Sequence, residues 1–180
     1  GWEMIGHGYV QRVINAEPDQ RETIRKTIST IKDFTGTAPR GWMGPGLAET
    51  FETPDILVEE GIEYVCDWCN DDQPYEMKVE NGRLVSVPYT LELNDIPIYL
   101  AQNHKSPEIF ERARDQFDTL YREGAESARV MCVSTHPYIT GVPHRNKYYN
   151  MIWEYIRQFH GVVFMTGSEI LDWYNGAVGG

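Results

Sequence analysis

Amphipathic helix patterns alternate with short apolar runs along most of this chain, and this alternation limits the folds open to it. Residues 19–35 place isoleucines at helical spacing, with Pro18 before them and Gly36 where a helix would end. Further helices are predicted over residues 53–61, 106–124, 147–160 and 168–174, and strands over 62–66, 130–133 and 162–165. Such alternation predicts an α/β fold with a mainly parallel sheet and right-handed crossovers.

One hairpin interrupts this order. Asn81-Gly82 separates two apolar runs within residues 77–87, which is the strongest short sequence signal for two antiparallel strands. We expect this hairpin to decorate the main sheet. A length of 180 residues with 41% apolar content suits one core. We predict a single domain over residues 1–175 and a Gly-rich tail over residues 176–180.

Charge and hydropathy exclude several classes of partner. The formal net charge of -11 repels nucleic-acid phosphates and anionic lipid. No apolar run approaches the ~20 residues of a membrane span, and the start lacks a basic segment followed by an apolar one. We therefore expect a cytoplasmic protein with a small-molecule substrate and no nucleic-acid or membrane partner.

Polar side chains follow the predicted strands at the end where α/β folds bind ligands and do chemistry. The candidates are His7 with Gln11, Arg40 with Trp42, Asp67 with Trp68, Asn94 with Asp95, and His136. Each residue type is common in structural roles, for example an arginine in an ion pair or a tryptophan in a core. Their shared position at strand ends nevertheless predicts an enzyme, because two imidazoles there supply groups that exchange protons near neutral pH.

The order of these motifs resembles the polysaccharide deacetylase (NodB-homology) family, within it the branch of allantoinases and cyclic-imide hydrolases. The resemblance covers nearly the whole chain and rests on Gly6-His7-Gly8, Pro39-Arg40-Gly41-Trp42, Asp67 with Asn70-Asp71-Asp72-Gln73-Pro74-Tyr75, Val87-Pro88-Tyr89-Thr90-Leu91 with Asn94-Asp95, and Ser134-Thr135-His136-Pro137 with Gly141-Val142-Pro143-His144-Arg145. It implies part of a distorted (β/α) barrel.

The resemblance also implies a reaction class, which is hydrolysis of a carbon–nitrogen bond other than a peptide bond. His136 would be the general acid or base, Asp67 would orient it, and Arg40 would stabilise the developing oxyanion. The residues expected to contact the substrate are His7, Gln11, Trp42, Trp68, Asn94 and Asp95. A cyclic amide, imide or ureide resembling allantoin is the predicted substrate. Two alternatives are a metal-dependent polysaccharide or peptidoglycan N-deacetylase and a non-catalytic ligand-binding relative.

The pattern departs from the metal-dependent members of the family. Those members carry two histidines separated by three residues, and here the second position is Gln11, whose carboxamide binds zinc poorly. The aspartate pair that the family carries on its first strand has no counterpart in this sequence. We therefore expect no cofactor and no metal held by this chain alone. Zinc or another divalent cation would need ligands from missing N-terminal residues.

The same comparison concerns the start of the sequence. Family barrels have strands and helices upstream of the segment that contains His7, so the chain resembles the C-terminal part of such a domain. Alone it would expose a sheet edge and an apolar patch. We expect this surface to be covered by a second copy in a homo-oligomer or by the missing N-terminal half.

Overall fold

The computed structural model describes residues 1–178, which form two compact units. The sheet unit comprises Gly1–Val87 with the C-terminal segment from Met165, and the helical unit comprises Pro88–Phe164. The helices in chain order are α1 (Gln20–Thr35), α2 (Thr53–Glu59), α3 (Glu108–Glu123), α4 (Pro137–Thr140), α5 (Pro143–Ile156) and α6 (Gly167–Val178). The strands are β1 (Gly41–Trp42), β2 (Tyr64–Val65), β3 (Tyr75–Met77) and β4 (Leu84–Ser86).

The sheet unit contains one four-stranded sheet in the order β1-β2-β4-β3. β1 pairs with β2 and β2 with β4 in parallel, while β3 and β4 form the predicted antiparallel hairpin. Gly6 adds a parallel bridge to Trp42 on the outer side of β1. The residues after Gly6, β1 and β2 therefore lie at the same, carboxyl edge of the sheet.

Local sequence explains why the sheet unit's first helix has its observed bounds. Asp19 caps α1 by accepting the backbone N–H of Glu22 (3.0 Å), and Gly36 ends it with φ 81°. Ile24 is buried on the helix's inner face in a cluster with Trp42, Leu57 and Val65. The predicted helix over residues 19–35 is thus confirmed.

The helical unit buries its own core between α3, α5 and the turns that precede α3. A π-helical turn, Ile96–Ala101, contributes Ile98 to this core. The other buried members are Leu93, Tyr99, Ile109, Ala113, Phe117, Ile139, Ile152 and Ile156. The helix predicted at 147–160 begins four residues earlier, because Pro143 suits a first helical turn.

Three predictions about elements are wrong. Residues 130–133 and 162–165 form no strand, because a strand needs a ladder of hydrogen bonds and within residues 1–178 this region has only the isolated Asn94–Ser134 bridge. Residues 176–178 belong to α6 rather than to a tail. Residues 179 and 180 of the predicted tail lie outside the described residues.

Large apolar side chains remain exposed near the end of the chain, among them Val163, Phe164 and Trp173. The expectation that a partner covers such a surface stays a prediction, as does the single domain over residues 1–175. None of the helices within residues 1–178 is long and apolar enough to cross a membrane.

Candidate functional site

His136 lies directly before α4 in the helical unit, with its side chain about one-third exposed (33%). Its Nδ1–H donates to Asp95 Oδ1 at 2.7 Å, and its backbone N–H donates to Asp95 Oδ2 at 2.7 Å. A carboxylate only accepts, so the hydrogen must be on Nδ1. Nε2 is then the ring atom left to exchange a proton with another molecule.

Asp95 is fully buried (0% exposed), and three donors satisfy its carboxylate. Besides the two groups of His136, Thr140 Oγ1–H donates to Oδ2 at 2.7 Å from the last residue of α4. A buried charge is costly unless it is paired and hydrogen-bonded. Asp95 therefore orients the ring of His136.

Two role assignments are corrected by this geometry. We expected Asp67 to orient His136, but the carboxylate bonded to His136 is Asp95. We also expected Asp95 to contact substrate, which its complete burial prevents. Asn94, its neighbour, accepts the backbone N–H of Ile96 (2.8 Å) and donates to the hydroxyl of Tyr89 (2.6 Å). This gives Asn94 a structural role, and its contact with substrate stays a prediction.

His7 follows Gly6 at the carboxyl edge of the sheet, where its Nδ1–H donates to the backbone oxygen of Met43. A carbonyl cannot donate, so in the neutral ring Nε2 is the acceptor. The structure thus fixes which nitrogen of His7 can meet a ligand. Gln11, four residues later, is exposed in the same loop. Contact of either residue with substrate stays a prediction.

Asp67 lies at the same edge, two residues beyond β2, and is 8% exposed. Its Oδ1 accepts the backbone N–H of Gly44 at 2.7 Å. Burial, and then the charge of Glu49, raise the pKa of Asp67 to about 8. The partly exposed Trp68 donates from Nε1 to Glu49 at 3.1 Å, so its place as a pocket wall stays a prediction.

Arg40 was expected at the catalytic edge of the sheet, and this is wrong. It directly precedes β1 and therefore lies at the amino edge, opposite to Asp67 within the sheet unit. Its guanidinium makes bidentate contacts of 2.7 and 3.0 Å to Glu63 and of 2.8 and 3.2 Å to Asp172. The guanidinium N–H groups that would bind an oxyanion are therefore already bonded to two carboxylates.

Trp42 was expected to line a pocket and is instead a core residue at 0% exposure. It lies on β1 between Gly6 and β2, so neighbours cover both of its sides. A Cβ on Gly6 would come within 2.3 Å of the Trp42 ring, which requires glycine directly before His7. Trp42 thus supports the backbone at His7.

The donor set for a metal can be tested on the described residues. Within residues 1–178, no group of three or more His, Cys, Asp or Glu side chains is arranged to hold a metal ion. A zinc site takes at least three protein ligands. The described residues do not fit such a site by themselves. Metal and cofactor dependence stay predictions.

Two residues that lie beside Asp95 and Asp67 were not among the candidates predicted from the sequence. Thr140 follows His136 by four residues, which is about one helical turn. This spacing could have predicted that the Thr140 hydroxyl lies near His136. Glu49 lies in the loop between β1 and α2, where nothing in the sequence distinguishes it from a solvated acid. Its contact with Asp67 arises only from the path of the loop.

Two curated proteins resemble the chain over most of its length. A Schizosaccharomyces pombe protein named "Putative polysaccharide deacetylase" is 31% identical, with 94% of this chain and 59% of that protein covered. The Helicobacter pylori peptidoglycan deacetylase is 26% identical, with 96% and 70% covered. The resemblance to the polysaccharide deacetylase family is confirmed. The chain spans less than two-thirds of the first of these relatives, and no family model matches it.

Solved structures show the same relationship at the level of the fold. The crystal structure of PuuE allantoinase has a TM-score of 0.90 at 28% identity and covers 98% of this chain and 60% of its own. That of a "probable polysaccharide deacetylase" from Pseudomonas aeruginosa PAO1 has a TM-score of 0.89 at 26% identity, with 98% and 60% covered. The α/β fold of the NodB type is therefore confirmed, and fold alone does not separate the two activities.

Proposed function

We propose that the complete protein is a carbohydrate N-deacetylase, a hydrolase that removes the acetyl group from amino sugars of a polysaccharide or of peptidoglycan. The names of its two curated relatives support this choice. The observation that carries the chemistry is the contact between His136 and the buried Asp95. This pair supplies a proton donor whose ring orientation is fixed.

Amide hydrolysis needs such a donor at the nitrogen. Water loses one proton to the solvent as it adds to the carbonyl carbon, which gives a tetrahedral oxyanion. The carbonyl then re-forms and the C–N bond breaks as the nitrogen takes up a proton. Without that proton the leaving group would be an amide anion, which is far too basic to depart. We assign the transfer to Nε2 of protonated His136, because Nδ1 is held by Asp95. The products are acetate and an amino sugar.

The cyclic amide, imide or ureide predicted from the sequence is the second candidate. The likeness to PuuE allantoinase favours it, since that structure matches this chain as well as the deacetylase structure does. The same proton transfer would serve ring opening, with the nitrogen remaining attached to the product. We rank the non-catalytic alternative last, because the partly exposed ring of His136 is held at Nδ1 and leaves Nε2 for a proton transfer.

A substrate screen on the full-length protein separates these candidates. The substrates are N-acetylglucosamine oligomers, peptidoglycan fragments, allantoin, hydantoin and succinimide, with acetate release and ring opening measured in parallel. We expect acetate and new primary amines from the first two, and loss of this activity in His136→Ala. Ring opening alone would replace our proposal by the second candidate. Binding without any turnover would favour the non-catalytic relative. A cytoplasmic location stays a prediction.

A further inference from the structure

Glu49 and Asp67 place two carboxyl groups against each other in the sheet unit. The two carboxyl groups act on one another, since each contributes to the shift in the pKa of the other. Their outer oxygens have separate donors: the backbone N–H of Gly44 reaches Asp67 Oδ1, and Trp68 Nε1–H reaches Glu49 Oε2. The remaining two oxygens, Glu49 Oε1 and Asp67 Oδ2, which we call the inner oxygens, are buried, and no donor within residues 1–178 reaches them.

These inner oxygens can satisfy each other only if one of them carries a hydrogen. Two ionised carboxylates would offer acceptors alone and would repel each other in a site shielded from water. The ion pairs that lysine, arginine and histidine side chains form within residues 1–178 involve neither Glu49 nor Asp67. Burial raises the pKa of Glu49 as it does that of Asp67.

A single peptide group connects this pair to His7. The Met43–Gly44 peptide donates its N–H to Asp67, and its carbonyl oxygen accepts Nδ1–H of His7. A Cβ on Gly44 would lie 3.0 Å from the Ala48 oxygen and 3.1 Å from Asp67 Oδ2, so a side chain there would displace these atoms. Hydrogen bonds at the two ends of one peptide polarise each other.

We propose that Glu49 and Asp67 share one proton as a carboxylic acid–carboxylate pair, and that this pair is coupled to the ring of His7 through the Met43–Gly44 peptide. Both carboxyls are then positioning residues for His7. Loss of the shared proton increases the negative charge that Gly44 N–H faces, which makes the Met43 oxygen a stronger acceptor for His7 Nδ1–H. The inference does not depend on which substrate the enzyme uses.

The test is an NMR titration of the full-length protein with ¹³C-labelled Asp and Glu carboxyls and ¹⁵N-labelled histidine. In the wild type we expect one carboxyl of the pair to stay protonated through neutral pH, and the ring ¹⁵N shifts of His7 to show an inflection at the same midpoint as the pair. Glu49→Gln should lower the midpoint of Asp67 by at least about one pH unit, a tenfold change in proton affinity. The His7 inflection should move with it.

Asp67→Asn should abolish that inflection, whereas the matched control Glu22→Gln, an exposed acid on α1, should leave both signals unchanged. The proposal is overturned if both carboxyls of the wild type ionise in the ordinary range of Asp and Glu. It is equally overturned if the ring ¹⁵N shifts of His7 do not change as the pair titrates. Because the wild-type titration alone gives both outcomes, the test stands even if a variant does not fold.

Discussion

Each of the two units holds a candidate site histidine by its Nδ1 atom, but the partners differ. In the helical unit the partner of His136 is the buried carboxylate of Asp95, and in the sheet unit the partner of His7 is the backbone oxygen of Met43. A carboxylate stabilises the positive charge that appears when imidazole is protonated, whereas a neutral carbonyl mainly fixes the ring's orientation. The difference supports our proposal that His136 transfers a proton and the prediction that His7 binds a ligand.

The largest expected effect is at His136. Replacing it by alanine should lower kcat for deacetylation by at least ~100-fold, the usual contribution of a general acid. His144→Ala, an exposed histidine of the same unit, is the control and should keep full activity. Steady-state acetate release by the full-length protein measures both variants. An unchanged kcat in His136→Ala would remove the contrast between the two histidines.

A smaller effect is expected when the partner rather than the histidine is changed. Asp95→Asn keeps the size of the side chain but removes the carboxylate that accepts Nδ1–H of His136, so kcat should fall on the order of tenfold to a hundredfold. Steady-state acetate release measures this loss. A variant with wild-type kcat would show that the carboxylate contributes no more than a carbonyl would.

The raised pKa of Asp67 should make the stability of the sheet unit depend on pH. Asp67 binds its proton more tightly in the folded chain (about 8) than its ordinary value of 3.8. The free energy of unfolding should therefore fall as pH rises between these two values, by at most about 1.4 kcal/mol per pH unit for one proton. Urea unfolding at several pH values measures this slope.

Asp67→Asn should flatten that slope, and Asp33→Asn, an exposed aspartate on α1, should not. The difference between each variant and the wild type isolates the single carboxyl from all other titrating groups. Parallel slopes for Asp67→Asn and the wild type would contradict the account of a protonated acid in the sheet unit.

The smallest effect is expected at Arg40. Its ion pairs with Glu63 and Asp172 are partly exposed at the amino edge of the sheet, so Arg40→Met should cost about 1 kcal/mol of stability. Activity should stay near that of the wild type. A tenfold or larger loss of kcat at unchanged stability would return Arg40 to the catalytic machinery and contradict the edge assignment.

Periodic patterns predicted the elements that local sequence determines. α1 with its Asp19 cap and Gly36 end, and the hairpin around Asn81-Gly82, were predicted because their signals lie within a few residues of each other. Residues 130–133 were wrongly assigned as a strand, since an apolar run does not reveal whether a neighbouring strand pairs with it.

The candidate site residues also divide into features that local sequence predicts and contacts that distant residues make. His136 and Asp95 were both found as residues that follow apolar runs, but their partnership joins positions 41 residues apart, which spacing does not disclose. Arg40 was misplaced because a residue between two elements can follow one or precede the next, and in the structure Arg40 directly precedes β1. Glu49 was missed because its burial depends on the loop that brings it to Asp67.

The central claim is that His136, held by Asp95, gives its proton to the departing nitrogen. The most direct test compares His136→Ala with the wild type on an N-acetyl amino sugar and on an aryl acetate ester, whose phenolate leaves without being protonated. Our account predicts a loss of at least ~100-fold on the amide and a much smaller loss on the ester. Equal losses on the two substrates would contradict it.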